Sequence, residues 1–170
     1  MDSKSLSIVP VGLSGIPLIQ RIAGIAFPAT YKGIVSDEQI VSMMGWMYST
    51  ESLTKQMTDE KNQFFLASWN DEPIGFVSVR PDSPAVYHLE KLYVLPASQG
   101  TGVGGRLFRK ACEQARSWQN GPCAVQLNVN KNNKAVQFYL HMGMQKIKDV
   151  VEPISDGFVK DDYIMEILVK

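Results

Sequence analysis

Hydrophobic positions change period along the chain, from helical spacing in the first third to alternation in the middle and back again after residue 102. Leu6 to Val11 is a short apolar run that predicts a first strand. Ser14 is then placed to cap a helix with Pro17 in its first turn. Leu18, Ile19, Ile22, Ala23, Ile25, Ala26 and Phe27 give that helix one apolar face, and Pro28 is expected to interrupt it. Ser36-Asp37-Glu38-Gln39 reads as a capping box for a second helix, with Ile40, Val41, Met43, Met44 and Met47 inward and Gly45 weakening it. Ser49 or Thr50 caps a third, short helix through Glu51, Leu53, Gln56 and Met57.

From Gln63 the pattern predicts strands. Phe64–Trp69 and Ile74–Val79 flank Asn70-Asp71-Glu72-Pro73, which has the chemistry of a hairpin turn. Pro81 to Pro84 is expected to make the next turn and Val86 to Leu95 the third strand of this meander. The next helix carries the clearest apolar face, through Val103, Leu107, Phe108, Ala111, Cys112, Ala115 and Trp118, and Asn120-Gly121-Pro122 ends it. Ala124–Val129 then returns as a strand parallel to the one before the helix, a β-α-β crossover. Asn132-Asn133 caps a short helix over Lys134–Met142, which Gly143 ends. Met144–Val151 and Asp162–Val169 are the last strands. The loop between them, Glu152–Asp161, contains Pro153, Asp156 and Gly157 and is expected to be mobile.

Composition narrows the function without naming it. The 170 residues suit one compact domain. Seventeen Lys and Arg balance seventeen Asp and Glu, so there is no basic excess of the kind nucleic acid or an anionic membrane surface selects. Two cysteines, Cys112 and Cys123, are too few for a disulfide framework and lack metal-ligand spacing; free buried thiols and no metal are expected. Met1–Ser5 is polar and lacks a signal peptide's apolar core, and no apolar run reaches the ~20 residues of a membrane span. A cytoplasmic location is expected. The methionines of the first sixty residues read either as core filler or as an adaptable wall for a flexible substrate.

Candidate chemistry centres on Gln99-Gly100-Thr101-Gly102-Val103-Gly104-Gly105, a glycine turn between a strand and a helix. Such a turn aims backbone N–H groups and the positive end of the helix dipole at an anion, so it reads as a phosphate site. Gly100-x-Gly102-x-x-Gly105 fits the dinucleotide fingerprint, but it follows a meander, and Ala124–Val129 lacks the acid expected about 20 residues on. A P-loop needs Lys then Ser or Thr after its last glycine, and Arg106-Leu107 stands there. A ligand-free structural turn is the remaining bland alternative.

Gln99-x-x-Gly102-x-Gly104 after Leu92-Tyr93-Val94-x-Pro96 resembles the coenzyme A pyrophosphate loop of the GNAT N-acetyltransferases. A second signature of that superfamily matches Asn132-Asn133-Lys134-Ala135-Val136-Gln137-Phe138-Tyr139 up to Gly143, with Met144 where a Phe is usual. The two motifs, in this order, cover roughly Gln63 to Lys170. The resemblance implies an α/β (α+β) fold: a mixed, mostly antiparallel sheet of about seven strands with helices on both faces and a splayed central strand pair. It also implies one domain over 1–170, with 1–62 a helical acceptor-side region and 63–170 the acetyl-CoA-binding core. Acetyl-CoA is the implied donor. Gln99, Gly100, Thr101, Gly102, Val103 and Gly104 would hold its pyrophosphate, Leu92, Tyr93 and Val94 its acetyl carbonyl and pantetheine arm through backbone N–H groups, and Asn132 the pantetheine side. Arg109 or Lys110 could reach the 3′-phosphate.

In that family an amine attacks the thioester directly, and an alkylammonium with a pKa of about 10.4 must first lose a proton. Glu90, directly or through a water, is the candidate base; by alternation it shares a strand face with His88, Leu92 and Val94, and His88 is the alternative base. Tyr139, with a phenol pKa of about 10, is the candidate acid for a thiolate whose conjugate acid is near about 8.5. Phe27–Tyr31, Tyr48–Leu53 and Leu89–Tyr93 further resemble the PaiA-type bacterial polyamine acetyltransferases. That likeness implies a small polyamine such as spermidine or spermine as partner, with Asp37, Glu38, Glu51, Asp161 and Asp162 as possible charge partners. Peptide or other small amines, and a non-catalytic acyl-CoA-binding regulator, are the rival readings. A homodimer through an edge strand or the N-terminal helices is a further possibility.

Overall fold

The computed structural model describes residues 5–170, the Ser155 side chain excepted; most of the polar Met1–Ser5 segment lies outside the described residues. The elements in chain order are β1 (Leu6–Val11), α1 (Ile16–Tyr31), α2 (Asp37–Tyr48), α3 (Thr50–Thr58), β2 (Gln63–Trp69) and β3 (Glu72–Ser83). They continue with β4 (Val86–Val94), α4 (Val103–Gln119), β5 (Cys123–Asn130), α5 (Ala135–His141), β6 (Gln145–Pro153) and β7 (Val159–Val169). One seven-stranded sheet runs β1-β2-β3-β4-β5-β7-β6. Every neighbouring pair is antiparallel except β4 and β5. The α/β class and the mostly antiparallel seven-stranded sheet are those expected. Among the described residues, no helix is long and apolar enough to cross a membrane.

Local chemistry explains where the elements begin and end. Ser36 Oγ accepts from Gln39 N–H at 3.1 Å and Ser49 Oγ from Ser52 N–H at 3.1 Å, so both serines cap as their spacing predicts. Ser14 does not cap. It lies in a 3₁₀ turn, Leu13–Gly15, and Gly15 is the N-cap of α1. A Cβ on Gly15 would sit 1.9 Å from the Val11 side chain, so only glycine lets β1 turn into α1 there. Pro28 does not end α1, which continues to Tyr31. The carbonyl its missing N–H would have met belongs to Gly24, which lies on the exposed face.

The β2–β3 turn is two residues, Asn70 and Asp71, both at positive φ (49° and 66°), the backbone of a tight hairpin; Glu72 and Pro73 are already in β3. Pro81 does not turn the chain. β3 runs through it to Ser83, and the register shifts between Pro81 and Ser83, a bulge that absorbs proline's missing donor. At the C-terminus β6 and β7 take up most of the expected loop, leaving a connection closed by the Ile154 N–H on the Phe158 carbonyl at 2.8 Å.

The sheet separates two cores. On one face α4 and α5 bury Leu107, Phe108, Ala111, Ala115 and Tyr139 against Val77, Leu89, Val125 and Leu127. Trp118 is 39% exposed and stacks on Tyr87, so it edges this core rather than filling it. On the other face α1, α2 and α3 bury Ile19, Ile22, Phe27, Tyr48 and Leu53 against Phe64, Leu66 and Phe76. Val41, expected inward, is 72% exposed, because the inward side of α2 is set by Ile40 and Tyr48.

Candidate active site

The site begins where two parallel strands part. β4 and β5 pair only over Val86–His88 and Ala124–Gln126, at the start of both strands. Beyond that point β4 runs on to Val94 and β5 to Asn130 without pairing, which is the splayed central pair expected. The β5-facing backbone groups of Leu89 to Val94 are therefore not used by the ladder. Donors left free in a gap of this kind are suited to a carbonyl oxygen that gains negative charge.

A β-bulge sets which side chains face this gap. On β3, Val79 pairs with Leu89 and Ser78 with Lys91, so Glu90 is an extra residue in β4. The extra residue reverses the alternation. His88, Glu90, Lys91 and Tyr93 all line a cavity on the α1–α3 face, while Leu92 and Val94 pack into the opposite core. Glu90 thus shares a face with His88, as the alternation predicts, but not with Leu92 or Val94.

Beyond β4, a 3₁₀ turn (Pro96–Ser98) leads into Gly100 and Gly102, both left-handed at φ 78° and 86°. The Gln99 side chain donates to the Val94 carbonyl at 3.2 Å and Thr101 Oγ1 to the Ser98 carbonyl at 2.5 Å. These two side chains hold the turn's shape and leave its backbone to face a ligand. Gly102 is the N-cap of α4, with no side-chain cap and no acid in the first turn. The first amide of α4 bonded back to the turn is Arg106 N–H, to the Gly102 carbonyl at 3.2 Å. The preceding N–H groups, of Val103, Gly104 and Gly105, have no intrahelical acceptor. Gly104 packs beside the Phe138 ring of α5, which a Cβ there would meet at ordinary contact distance, 3.5 Å. Uncapped amides, a bare dipole end and an absence of side chains fit a pyrophosphate.

Other predicted residues sort by geometry. Arg109 folds back over the turn, its guanidinium 3.5 Å from where a Gly105 Cβ would stand. Lys110 turns away to Glu113 at 3.9 Å and over the Phe65 ring at 5.4 Å. Neither asparagine is the N-cap of α5, which is Lys134; Asn133 Oδ1 accepts from Ala135 N–H at 2.9 Å just before the helix, whereas Asn132 is exposed and its N–H donates to Asn130 Oδ1 at 2.9 Å. Tyr139 is buried, edge-on to Phe138 at 5.2 Å. Burial, and then the nearby Tyr31 phenol, push its pKa well above the ordinary phenol value, so it holds its proton at neutral pH.

The cavity has a volume of about 890 Å³. Its floor is β4. Tyr31, Met43 and Met47 come from the helices, and Asn128, Asn130 and Asp162 come from β5 and β7. Met43 and Met47 also pack on the core, so both readings of the methionines apply to them. Glu90 accepts a hydrogen bond from Arg80 Nε, and Lys91 Nζ lies 4.0 Å from its other oxygen. Burial raises the Glu90 pKa, but the Arg80 hydrogen bond and the Lys91 charge outweigh it and hold the carboxyl below its usual range. Burial lowers the His88 pKa, which favours the neutral ring. Lys91 is only 4% exposed; its ammonium donates to Gln56 Oε1 at 2.6 Å and lies over the Tyr48 ring.

The sequence reading missed Arg80, Lys91 and Gln56. The motif residues Lys91-Leu92-Tyr93 adjoin Glu90, but only the bulge turns two successive charged residues into one cavity. Of the carboxylates expected to meet a cationic acceptor, Asp37, Glu38 and Glu51 sit in the first turns of α2 and α3, and Asp161 pairs with Lys131. Asp162 does line the cavity.

Residues 33–163 match the family model described as an acetyltransferase (GNAT) domain. An uncharacterized N-acetyltransferase of Mycobacterium tuberculosis is 29% identical over 148 residues, 86% of this chain and 93% of its own length. Among solved structures, the PaiA N-acetyltransferase of Thermoplasma acidophilum, in complex with coenzyme A, superposes with a TM-score of 0.74 at 22% identity, covering 95% of this chain and 98% of that one. Spermidine N-acetyltransferase SpeG of Vibrio cholerae superposes with a TM-score of 0.67 at 20% identity, covering 96% and 93%. With strand gap, uncapped helix and family model in agreement, the chain belongs to the GNAT acetyltransferase family and is an acetyl-CoA-dependent N-acetyltransferase.

Proposed function

We propose that this enzyme acetylates a primary amine that enters the cavity bounded by β4, β5, β7 and the N-terminal helices. The observation that carries this reading is the strand gap, which joins the glycine turn on one side to a cavity with its own charged residues on the other. The turn from Gln99 to Gly104 would hold the pyrophosphate of acetyl-CoA, with Arg109 at the 3′-phosphate and Asn132 toward the pantetheine. Bound acetyl-CoA supplies an activated thioester. Of the amides at Leu92, Tyr93 and Val94, that of Tyr93 points to β3, as the Leu95 N–H bonded to the Ile74 carbonyl does, and those of Leu92 and Val94 face the gap, where they would stabilise a carbonyl oxygen. Tyr139, protonated and buried beside the gap, is the acid for the departing thiolate. Glu90, with Arg80 on one oxygen, draws the amine's proton through a water rather than by direct contact.

SpeG is named for spermidine, and PaiA carries coenzyme A; these names make spermidine the first acceptor to test. A different observation favours a second reading. Lys55, Arg80, Lys91 and Lys160 line the cavity beside Glu60, Glu90 and Asp162. A polycation gains little from such a lining, whereas an amine that also bears a carboxylate, as in an amino acid or peptide, finds partners of both signs. The test is thiol release from acetyl-CoA with spermidine, spermine, free amino acids and short peptides. Acceleration by spermidine supports the polyamine reading. Acceleration by carboxylate-bearing amines alone rejects it, and tight acetyl-CoA binding with no accelerating amine marks a regulator.

A further inference from the structure

Asp162 has no role in the chemistry above, and its surroundings are unusual for a carboxylate. It lies on β7 opposite Asn130 of β5 and is only 8% exposed, yet it lines the cavity. Among the described residues no ammonium or guanidinium lies within 4.0 Å of it, the neighbouring Lys160 being paired with Glu152 at 3.2 Å. The other two carboxylates of the cavity differ: Glu90 is held by Arg80, and Glu60 is exposed. A buried, unpaired carboxylate lowers stability unless something compensates it, and such groups collect at functional sites. Burial raises its pKa, partly offset by the Lys160 charge and the Asn128 amide.

Around it the cavity suits a cation that arrives from solution. Tyr31, Trp46 and Tyr93 present aromatic rings to the same space. The Tyr31 phenol is within electrostatic reach of Asp162 on one side and Tyr139 on the other.

We infer that Asp162 is the anchor for the acceptor's ammonium group, forming the ion pair that the folded chain leaves unmade. The inference rests on the amine-acetylating reading and names the residue that holds the acceptor. Glu90 then governs proton removal, and Asp162 governs docking.

The test uses the CoA-loaded enzyme and n-butylammonium chloride as a minimal probe, titrated by calorimetry at neutral pH. Wild type should bind the probe, and Asp162→Asn should bind it about tenfold to hundredfold more weakly, the range for losing one charge-assisted contact. Asp162→Glu should recover part of the loss. Acetyl-CoA affinity and the circular dichroism spectrum should be the same in all three proteins, showing that the donor side and the fold are intact. With any amine that supports turnover, Asp162→Asn should raise KM more than it lowers kcat, and Glu90→Gln should do the reverse. Equal probe affinity in wild type and Asp162→Asn, or no binding to wild type, overturns the inference. Failure of wild type to bind acetyl-CoA would instead overturn the acetyltransferase reading, which the probe titration does not touch.

Discussion

The two faces of the sheet are built from different materials. The α4 face is a dry apolar core: Val77, Val79, Leu107, Phe108, Ala111, Val125 and Leu127 meet with no charged side chain among them. The α1–α3 face carries a comparable aromatic cluster, Phe27, Tyr48, Phe64, Phe76 and Tyr93, but buries Lys91, Gln56, Ser78 and Asn62 beside it. The first face stabilises the fold and fixes the helix proposed to receive the donor. The second accepts polar groups at a cost in stability because it surrounds the cavity proposed for the acceptor. Stability and substrate handling are thus divided across one sheet, with β4 shared between them.

The largest expected effect tests the dry face. Phe108→Ala should lower unfolding free energy by about 3–5 kcal/mol, the range for emptying an aromatic site in a closed core, measured by urea denaturation. A loss under about 1 kcal/mol would mean that this face is no more tightly packed than its partner.

Next is Tyr139→Phe, which keeps the ring against Phe138 and removes only the hydroxyl. Turnover should fall about 10²-fold, equivalent to about 2.7 kcal/mol in the barrier, with acetyl-CoA affinity unchanged. An unchanged rate would leave Tyr139 as a member of the core alone.

Acid titration separates the faces differently. The folded-state pKa of Glu90 is depressed by Arg80 and Lys91, so its contribution is present above the ordinary carboxylate pKa. It is lost as pH falls through the folded value. Glu90→Gln should therefore cost about 1.5 kcal/mol at neutral pH and leave a flatter acid limb below the ordinary carboxylate range, read as Tm against pH. An acid limb identical to that of wild type would show that the Arg80–Glu90 pair does not stabilise the fold.

How much of this could be read from residues alone also divides by face. Helix α4 was legible because its buried positions recur at the helical period and Asn120 and Gly121 mark its end. The glycine turn and Tyr139 were legible because both sit in short local motifs. The acceptor side was not. Its key feature is the one-residue bulge at Glu90, which depends on how β3 pairs with β4, and no local pattern announces it. That slip is why Leu92 and Val94 were expected on the cavity side and Lys91 was not. Asp162 likewise gains its setting from strands β5 and β7, whose partnership is fixed by tertiary contact. Pro28 and Pro81 misled for a related reason, since an exposed glycine carbonyl and a bulge each absorb a missing donor that sequence alone treats as a stop.

The smallest expected effect tests the cost of polarity on the acceptor face. Ser78 lies on β3 opposite Lys91, fully buried, and among the described residues its Oγ has no hydrogen-bond partner. An unmet hydroxyl in such a place is destabilising, because it leaves water without replacing the bond it had there. Ser78→Ala removes the hydroxyl and changes little else, so unfolding free energy should rise by about 1 kcal/mol and Tm by about 2–4 °C. The equivalent change in reverse on the dry face, Ala111→Ser, should lower stability by less than this, since a hydroxyl in α4 can donate to the Leu107 carbonyl four residues back, as Thr30 does to Ala26 in α1. If Ser78→Ala is instead destabilising, the hydroxyl is bonded in solution and the acceptor face is better satisfied than its geometry implies. If it is stabilising but slows acetyl transfer, the hydroxyl beneath Lys91 belongs to the acceptor site, and the division of labour between the two faces extends into the strand beneath it.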